Sequence, residues 1–310
     1  MRSSSTMASA RSLEEAREAA LLHPGDPGRA LDHGEALLEA GRLPDAIAEF
    51  QRALRLDHAS ADARHALGRA WLAAGEPEKA LEALKYLSGV DDETARAQAM
   101  LVAPRSDAGY VRHLFDQFAA DYDQRMTGQL GYAAPAILRQ LADLVMPGAT
   151  GLRVLDLGCG TGLSGLVFRS MAASLDGIDL SPVMIEKARA RRLYDRLTVG
   201  DIEEVGFKDS TGRYDLWLAA DTLVYLGDLT KILGAASRSL VAGGRFLFTI
   251  ERKAGDGFEL GPKRRWRHSE SYLRQQAQAH GFDVAGLMEC VPRHEAGEPV
   301  QGFAAALTHR

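Results

Sequence analysis

The stretch Val154-Leu155-Asp156-Leu157-Gly158-Cys159-Gly160-Thr161-Gly162-Leu163 constrains the fold more than any other part of this chain. An apolar, strand-like run ends in an acidic residue, three glycines follow at alternate positions, and a helical pattern then opens. Glycines so placed let a backbone turn sharply and approach a ligand without interference from a Cβ. Dinucleotide-binding folds use G-x-G-x-x-G to seat a pyrophosphate on a helix N-terminus. Here the third glycine comes one residue early, and Asp156 stands two residues before the first. A carboxylate at that point repels a pyrophosphate and attracts a cation.

Strands and helices alternate on either side of this loop. Strand-like runs cover Arg153–Leu157, Leu175–Asp179, Leu197–Val199, Asp215–Ala219 and Arg245–Ile250, with two more near Asp283–Met288 and Phe303–Thr308. Helical segments fall between them near Gly162–Met171, Pro182–Arg191, Leu229–Leu240 and Glu270–His280. The alternation predicts an α/β domain, a mostly parallel, Rossmann-like sheet of seven strands with helices on both faces. Ligands of such sheets bind outside the carboxyl ends of the strands. That rule selects Asp156 to Gly162, Asp179-Leu180, Gly200 to Ile202 and Ala219 to Asp221.

The chemistry at these four points suits a nucleoside. Asp179 ends the second strand 21 residues after Gly158, the offset at which a carboxylate accepts hydrogen bonds from ribose hydroxyls. Leu180 and Met184 offer apolar contact to a base, and Asp201 with the Ile202 backbone could read an amino edge. Asp179 also precedes Ser181-Pro182, where Ser181 would cap a helix and Pro182 occupy its first position. The two roles are compatible.

Together these elements resemble the motifs of the class I S-adenosylmethionine-dependent methyltransferases. Their cofactor carries an ammonium and a sulfonium and no phosphate, which agrees with the acidic residue before the glycines. The resemblance implies that Asp156, Gly158, Cys159, Gly160, Gly162, Asp179, Leu180, Met184, Asp201, Ile202 and Ala219 surround S-adenosylmethionine. Tyr110 to Met126 places Val111, Leu114, Phe115, Phe118 and Tyr122 at helical spacing. The phrase from Phe115 to Asp123 resembles the opening helix that covers the cofactor in many small-molecule methyltransferases, and Tyr122 is its candidate contact. Each residue of that stripe would equally serve in core packing.

The first third of the chain repeats itself. Gly34 and Gly68 are 34 residues apart, as are Gly41 and Gly75, Ala46 and Ala80, and Ala53 and Leu87. That period, with small residues at helix crossings, is the tetratricopeptide signature. Asp45–Leu54 and Glu78–Leu87 read as second helices of successive repeats, Leu13–Leu22 as that of a degenerate earlier one, and Thr94–Val102 as a capping helix. So short an array has few neighbours on which to bury its apolar faces. It is expected to lean on the α/β domain or on a second copy of itself as a homodimer arm, or to hold a protein partner in its concave groove. The break at Pro104-Arg105-Ser106-Asp107 reads as a linker, giving a disordered tail over 1–10, a helical domain over 11–103 and the α/β domain over 104–310. With the repeats, the likeness extends to the bacterial methyltransferases predicted to contain tetratricopeptide repeats. Phrases like Ala220 to Asp228 and His268 to Arg274 mark that group.

The acceptor side is expected over the same sheet edge. Asp221 and Tyr225 follow the fourth strand, and the run Lys263-Arg264-Arg265-Trp266-Arg267-His268 sets basic residues around an aromatic one. Arg264, Arg265 and Arg267 could clamp an anionic small molecule or carrier-bound acyl group, because guanidinium forks match carboxylate and phosphate geometry. A solvated surface loop explains such a run equally well. His268 is a candidate general base and also fits an ordinary polar residue before the Ser269 N-cap. Glu251 is a weaker candidate. No D-P-P-Y-like motif follows the fourth strand, which disfavours exocyclic base amines as acceptors. A net charge of −5 and a pI near 6.0 argue against general nucleic-acid binding. Cys159 and Cys290 are the only cysteines, so neither a disulfide framework nor a zinc or other metal site is expected. No apolar run approaches the ~20 residues that cross a bilayer. Met1–Ala10 is Ser-rich and lacks an apolar signal core, so the cytoplasm is the expected location.

Overall fold

The computed structural model describes residues 3–87, 92–103, 105–119, 121–204, 212–261 and 263–310. The chain divides into two compact units, Met1–Ala103 and Pro104–Arg310. Among the described residues no helix is long and apolar enough to cross a membrane.

The first unit is built of helices α1 (Ser3–Leu22), α2 (Pro27–Glu39), α3 (Leu43–Leu56), α4 (Ala61–Ala73), α5 (Pro77–Leu84) and α6 (Asp92–Val102). The tail expected over residues 1–10 is instead helical from Ser3 onward. Met7, Ala8 and Ala10 are favourable in helices and continue the helix of Leu13 backward. The 34-residue period reappears as packing. A Cβ on Gly34 would lie 2.5 Å from the Phe50 ring, and one on Gly68 would lie 2.6 Å from Leu84. Phe50 and Leu84 are themselves one period apart, so the same helix crossing is built twice. Gly41 and Gly75 take φ of 73° and 71° in the equivalent interhelical turns, a conformation that glycine adopts without penalty.

The second unit begins with α7 (Ala108–Phe118), α8 (Tyr122–Gln124), a π-turn at Arg125–Gln129 and α9 (Ala134–Val145). The single helix expected over Tyr110–Met126 is therefore broken; Phe118 lies outside the described side chains. After the break Asp123 accepts hydrogen bonds from the Thr161 hydroxyl and from Arg191, so the second piece is tied to the glycine loop instead of continuing α7. The alternating elements follow: β1 (Leu152–Leu157), α10 (Leu163–Phe168), β2 (Ala172–Asp179), α11 (Pro182–Arg191), β3 (Arg196–Val199), β4 (Tyr214–Ala219), α12 (Thr230–Ser239) and β5 (Leu240–Arg252). Next come β6 (Phe258–Leu260), β7 (Trp266–His268), α13 (Glu270–Ala279), β8 (Phe282–Cys290), β9 (His294–Glu295), β10 (Glu298–Pro299) and β11 (Gly302–His309).

The main sheet path runs β3-β2-β1-β4-β5-β11-β8. It is parallel from β3 to β5, and β11 lies antiparallel between β5 and β8. The seven expected strands form this path. The β6–β7 hairpin adds two more, with β7 parallel to the end of β5 at Glu251 and Arg252. Thus the basic run read as a clamp or a solvated loop is in part a strand. Neighbouring residues on each strand face opposite layers. Leu155, Trp217 and Phe246 pack toward α12 and α13, while Val154, Leu216 and Leu247 pack toward α9 and α10. Both faces being covered, the exposed chemistry is confined to the strand ends.

Candidate active site

A cavity of about 310 Å³ lies at the carboxyl ends of β1, β2 and β4. Gly158, Gly160 and Gly162 all have positive φ, at 64°, 53° and 94°. A Cβ on Gly158 would meet Thr222 Oγ1 at 2.4 Å. The loop therefore passes closer to Thr222, three residues beyond β4, than any other side chain allows. Gly160 N–H donates to Asp179 Oδ2 and Ser181 N–H to Asp179 Oδ1, both at 2.8 Å. Each carboxylate oxygen keeps a second lone pair. Ser181 caps α11 by accepting from Met184 N–H, with Pro182 in the first turn, so Asp179 sits at a capped helix start and at the cavity wall together.

Of the residues expected around a cofactor, Tyr122, Gly158, Cys159, Gly160, Asp179, Leu180, Asp201 and Ile202 line this cavity. Asp156, Gly162, Met184 and Ala219 do not, and each has a packing reason. Met184 and Ala219 are fully buried in the layers beneath. Gly162 turns the chain into α10 and, like Gly165, leaves room for the Tyr194 ring, which lies 3.0 Å from a Cβ built at position 162. Tyr194 O–H donates to Asp156 Oδ2 at 2.7 Å, while buried Asp156 Oδ1 has no hydrogen-bond partner among the described residues. Burial raises the Asp156 pKa to about 7 against the Tyr194 hydrogen bond, and the charge of Asp179 adds to the rise. Asp179 is pushed up to about 6 by burial, opposed by the two backbone N–H donors.

Arg105 was not singled out from the sequence. It falls in the expected linker, of which Pro104 lies outside the described residues, yet it donates to Asp201 at 2.6 Å and pairs with Glu203. Ser106 N–H also bonds Tyr225 O at 2.8 Å. Arg105 to Asp107 are therefore part of the cavity wall and of the α7 cap, not a free connection. Phe115 meets Tyr122 and Tyr225 edge-on, with centroids 6.2 and 5.7 Å apart, and Tyr132 O–H donates to Ala220 O at 3.1 Å.

The acceptor-side residues separate. Asp221, Tyr225 and Arg265 line the cavity; Arg264, Arg267 and His268 do not. Asp221 holds a φ of 59°, unusual for a residue with a side chain. Its N–H donates to Thr249 Oγ1 at 2.8 Å and its Oδ1 accepts from Arg293. Burial raises its pKa despite Arg293 and Arg265. Arg293 is 1% exposed and also binds Glu251 and, at 2.9 Å, Glu295. Arg265 pairs with Glu295 and bonds Tyr225, so its charge is already engaged. His268 is wholly buried. Its Nε2 donates to Gly227 O at 3.0 Å, and its ring stacks on Tyr272 at 5.8 Å. Burial depresses its pKa to about 4. The candidate general base is thus buried and packed, in keeping with its alternative reading as a polar residue before the Ser269 N-cap, because the β6–β7 hairpin folds it inward. Arg293 and Glu295, missed in the sequence, lie just before and within a short hairpin that carried no glycine motif or strand pattern.

A parallel five-strand core, extended by the antiparallel β11 and by β8, carries the glycine loop after β1 and the acid at the end of β2 along one edge. Residues 149–287 match a family profile described as a methyltransferase domain, and residues 37–103 match one described as a tetratricopeptide repeat. The chain is 34% identical over 119 residues to Methyltransferase-like protein 27 of Homo sapiens, covering 38% of this chain and 48% of that protein. It is 30% identical over 154 residues to the malonyl-[acyl-carrier protein] O-methyltransferase of Serratia marcescens, covering 49% and 56%. The chain thus spans about half the length of the curated relatives it matches. Its fold is similar to the solved 1,6-didemethyltoxoflavin-N1-methyltransferase of Burkholderia thailandensis, with a TM-score of 0.52 and 18% identity over 67% of this chain and 92% of that one.

Proposed function

We propose that the chain binds S-adenosylmethionine in the cavity at the ends of β1, β2 and β4 and methylates a small, anionic acceptor or a carrier-bound acyl group. The observation that carries this reading is the set of carboxylate acceptors. The unpartnered Asp156 Oδ1, buried beneath the glycine loop, favours a cation nearby. Asp179 offers lone pairs for two ribose hydroxyls, and Asp201 stands beside Ile202 for the base. Arg105, a cation of the cavity wall, is committed to Asp201 and Glu203.

When bound, S-adenosylmethionine supplies a methyl carbon on a positively charged sulfur. The protein's share of the work is alignment and exclusion of water. Phe115, Tyr122 and Tyr225 form an aromatic wall that orders the acceptor and keeps the site dry. Arg293 holds Asp221 Oδ1, leaving Oδ2 to receive a proton from an acceptor whose nucleophile carries one. A nucleophile already ionised needs no base. The kinship with a malonyl-carrier O-methyltransferase supports a carboxylate or acyl acceptor.

A second reading, a protein acceptor recruited by the repeats, is favoured by the repeat match over residues 37–103. One experiment tests both: incubation with methyl-labelled S-adenosylmethionine and a cell extract split by size. Label in the small-molecule fraction, or on a carrier protein and released by mild base, supports the first reading. Label held by other proteins and stable to base supports the second. No transfer, together with no binding of the cofactor in calorimetry, would overturn both.

A further inference from the structure

The same unit holds a larger cavity of about 1030 Å³, bounded by the end of β5, the β6–β7 hairpin, the start of α13 and the β9–β10 hairpin. Lys263, Arg265 and Glu295 line this cavity and the cofactor cavity alike. Their ion pairs, with Lys263 to Glu295 at 2.5 Å, form the partition between the two. On the far side two cations are matched, Arg274 with Glu270 at 2.7 Å and Arg252 with Glu289.

Two cations lining the larger cavity are matched less well. Lys253 Nζ donates to the backbone carbonyl of Asp256 at 2.5 Å. Arg267 approaches Glu251 only through Nε, at 3.5 Å. The Glu251 carboxylate is already claimed by Arg293. Among the described residues Nη1 and Nη2 of Arg267 have no hydrogen-bond partner. Gly261 makes the placement possible, since a Cβ there would lie 3.1 Å from Arg267 Nε. Glu251 and Arg267 are in register on neighbouring parallel strands, and Lys253 lies two residues beyond Glu251. Arg267 therefore shares the face of Glu251, and Lys253, the first residue past the end of β5, lines the same cavity.

We propose that this second cavity binds an oxyanion, phosphate or carboxylate, on Arg267 and Lys253, and that the oxyanion is the far end of an elongated methyl acceptor. The acceptor's nucleophile reaches the cofactor cavity past the Lys263–Arg265–Glu295 partition. This rests on the methyltransferase reading and narrows its acceptor to a long anion. A planar guanidinium with two free amino groups engages an oxyanion by a pair of parallel hydrogen bonds, and an ammonium adds a point charge. The volume leaves room for the organic chain behind the charged group.

The test is a calorimetric titration of the full-length protein, saturated with S-adenosylhomocysteine, with phenyl phosphate and separately with benzoate. Expected is saturable, salt-sensitive binding of at least one probe, the tighter one identifying the oxyanion. The double variant Lys253→Gln/Arg267→Gln should weaken it by about tenfold or more, whereas Arg310→Gln, which removes a charge outside both cavities, should leave it unchanged. Equal binding by the wild type and the double variant, or no binding of either probe, overturns the proposal. S-adenosylhomocysteine affinity and thermal midpoint are measured on the same samples. Loss of cofactor affinity in the wild type would sink the methyltransferase reading while the oxyanion result stayed readable.

Discussion

Asp156 and Asp179 are neighbouring buried carboxylates whose pKa values are raised to about 7 and about 6. Because they interact, the two values belong to the pair. A raised acid binds more protons folded than unfolded, so in the ligand-free protein these groups lower stability as pH rises from about 4 to about 7. A cation beside them favours the ionised forms. Affinity for S-adenosylmethionine should therefore rise with pH across this window, with proton release on binding, and Asp156→Asn should flatten the dependence. Calorimetry in buffers of different ionisation enthalpy checks both. Asp179→Ala strands two ribose hydroxyls and should cost ~1.5–3 kcal/mol of cofactor affinity; an unchanged affinity would remove Asp179 from the site. His268 has the opposite linkage. Its pKa is lowered to about 4, so it stays neutral while the unfolded chain protonates, and its contribution to stability is lost as pH falls below about 6.5. His268→Gln should leave the pH profile of kcat where it is and reduce acid lability in the melting curve. A kcat profile that loses its acidic-limb titration would restore His268 as a base.

At the scale of elements, two devices repeat. In the first unit a glycine gives way to a large side chain one helix later, at Gly34 with Phe50 and at Gly68 with Leu84. Gly34→Ala and Gly68→Ala should each destabilise that unit by about 1–3 kcal/mol through overpacking. Denaturant unfolding should show both losses with cofactor affinity intact. In the second unit, Gly162 and Gly165 make room for Tyr194, whose hydroxyl holds Asp156. Tyr194→Phe removes that donor and leaves both Asp156 oxygens without a hydrogen bond. It should cost about 1–3 kcal/mol of stability and move the pH dependence of cofactor binding upward. If the profile does not move, the Tyr194–Asp156 bond does not govern the titration.

For the molecule as a whole, every residue assigned to the cofactor cavity lies after residue 104, within the second compact unit. A fragment of residues 104–310 should fold and bind S-adenosylmethionine. A fragment beginning at Tyr110 loses Arg105 and Ser106, which hold Asp201 and the backbone of Tyr225, and should bind more weakly. Circular dichroism with calorimetry separates the two cases. Loss of folded structure in the longer fragment would mean that the units are not independent.

The sequence by itself determined what is local and periodic. The glycine loop, the alternation that builds the sheet and the 34-residue repeat each depend on neighbours a few residues apart, and each left a pattern at its own period. Asp179 could be placed by its 21-residue offset from Gly158 because strand, loop and helix have standard lengths. Helix α9 leaves the same kind of local record, a stripe of Leu138, Leu141 and Ala142 at helical spacing that is buried in the fold. Only the tertiary structure decided which charges are free. Arg265 is engaged by Glu295, Arg293 by three carboxylates, and Arg105 by Asp201 and Glu203, partners as far as 98 residues away. His268 likewise became a core residue only through a hairpin that folds it against Tyr272 and the carbonyl of Gly227. Ion pairing and burial depend on distance in space, and a run of basic residues carries no record of the carboxylates that will meet it.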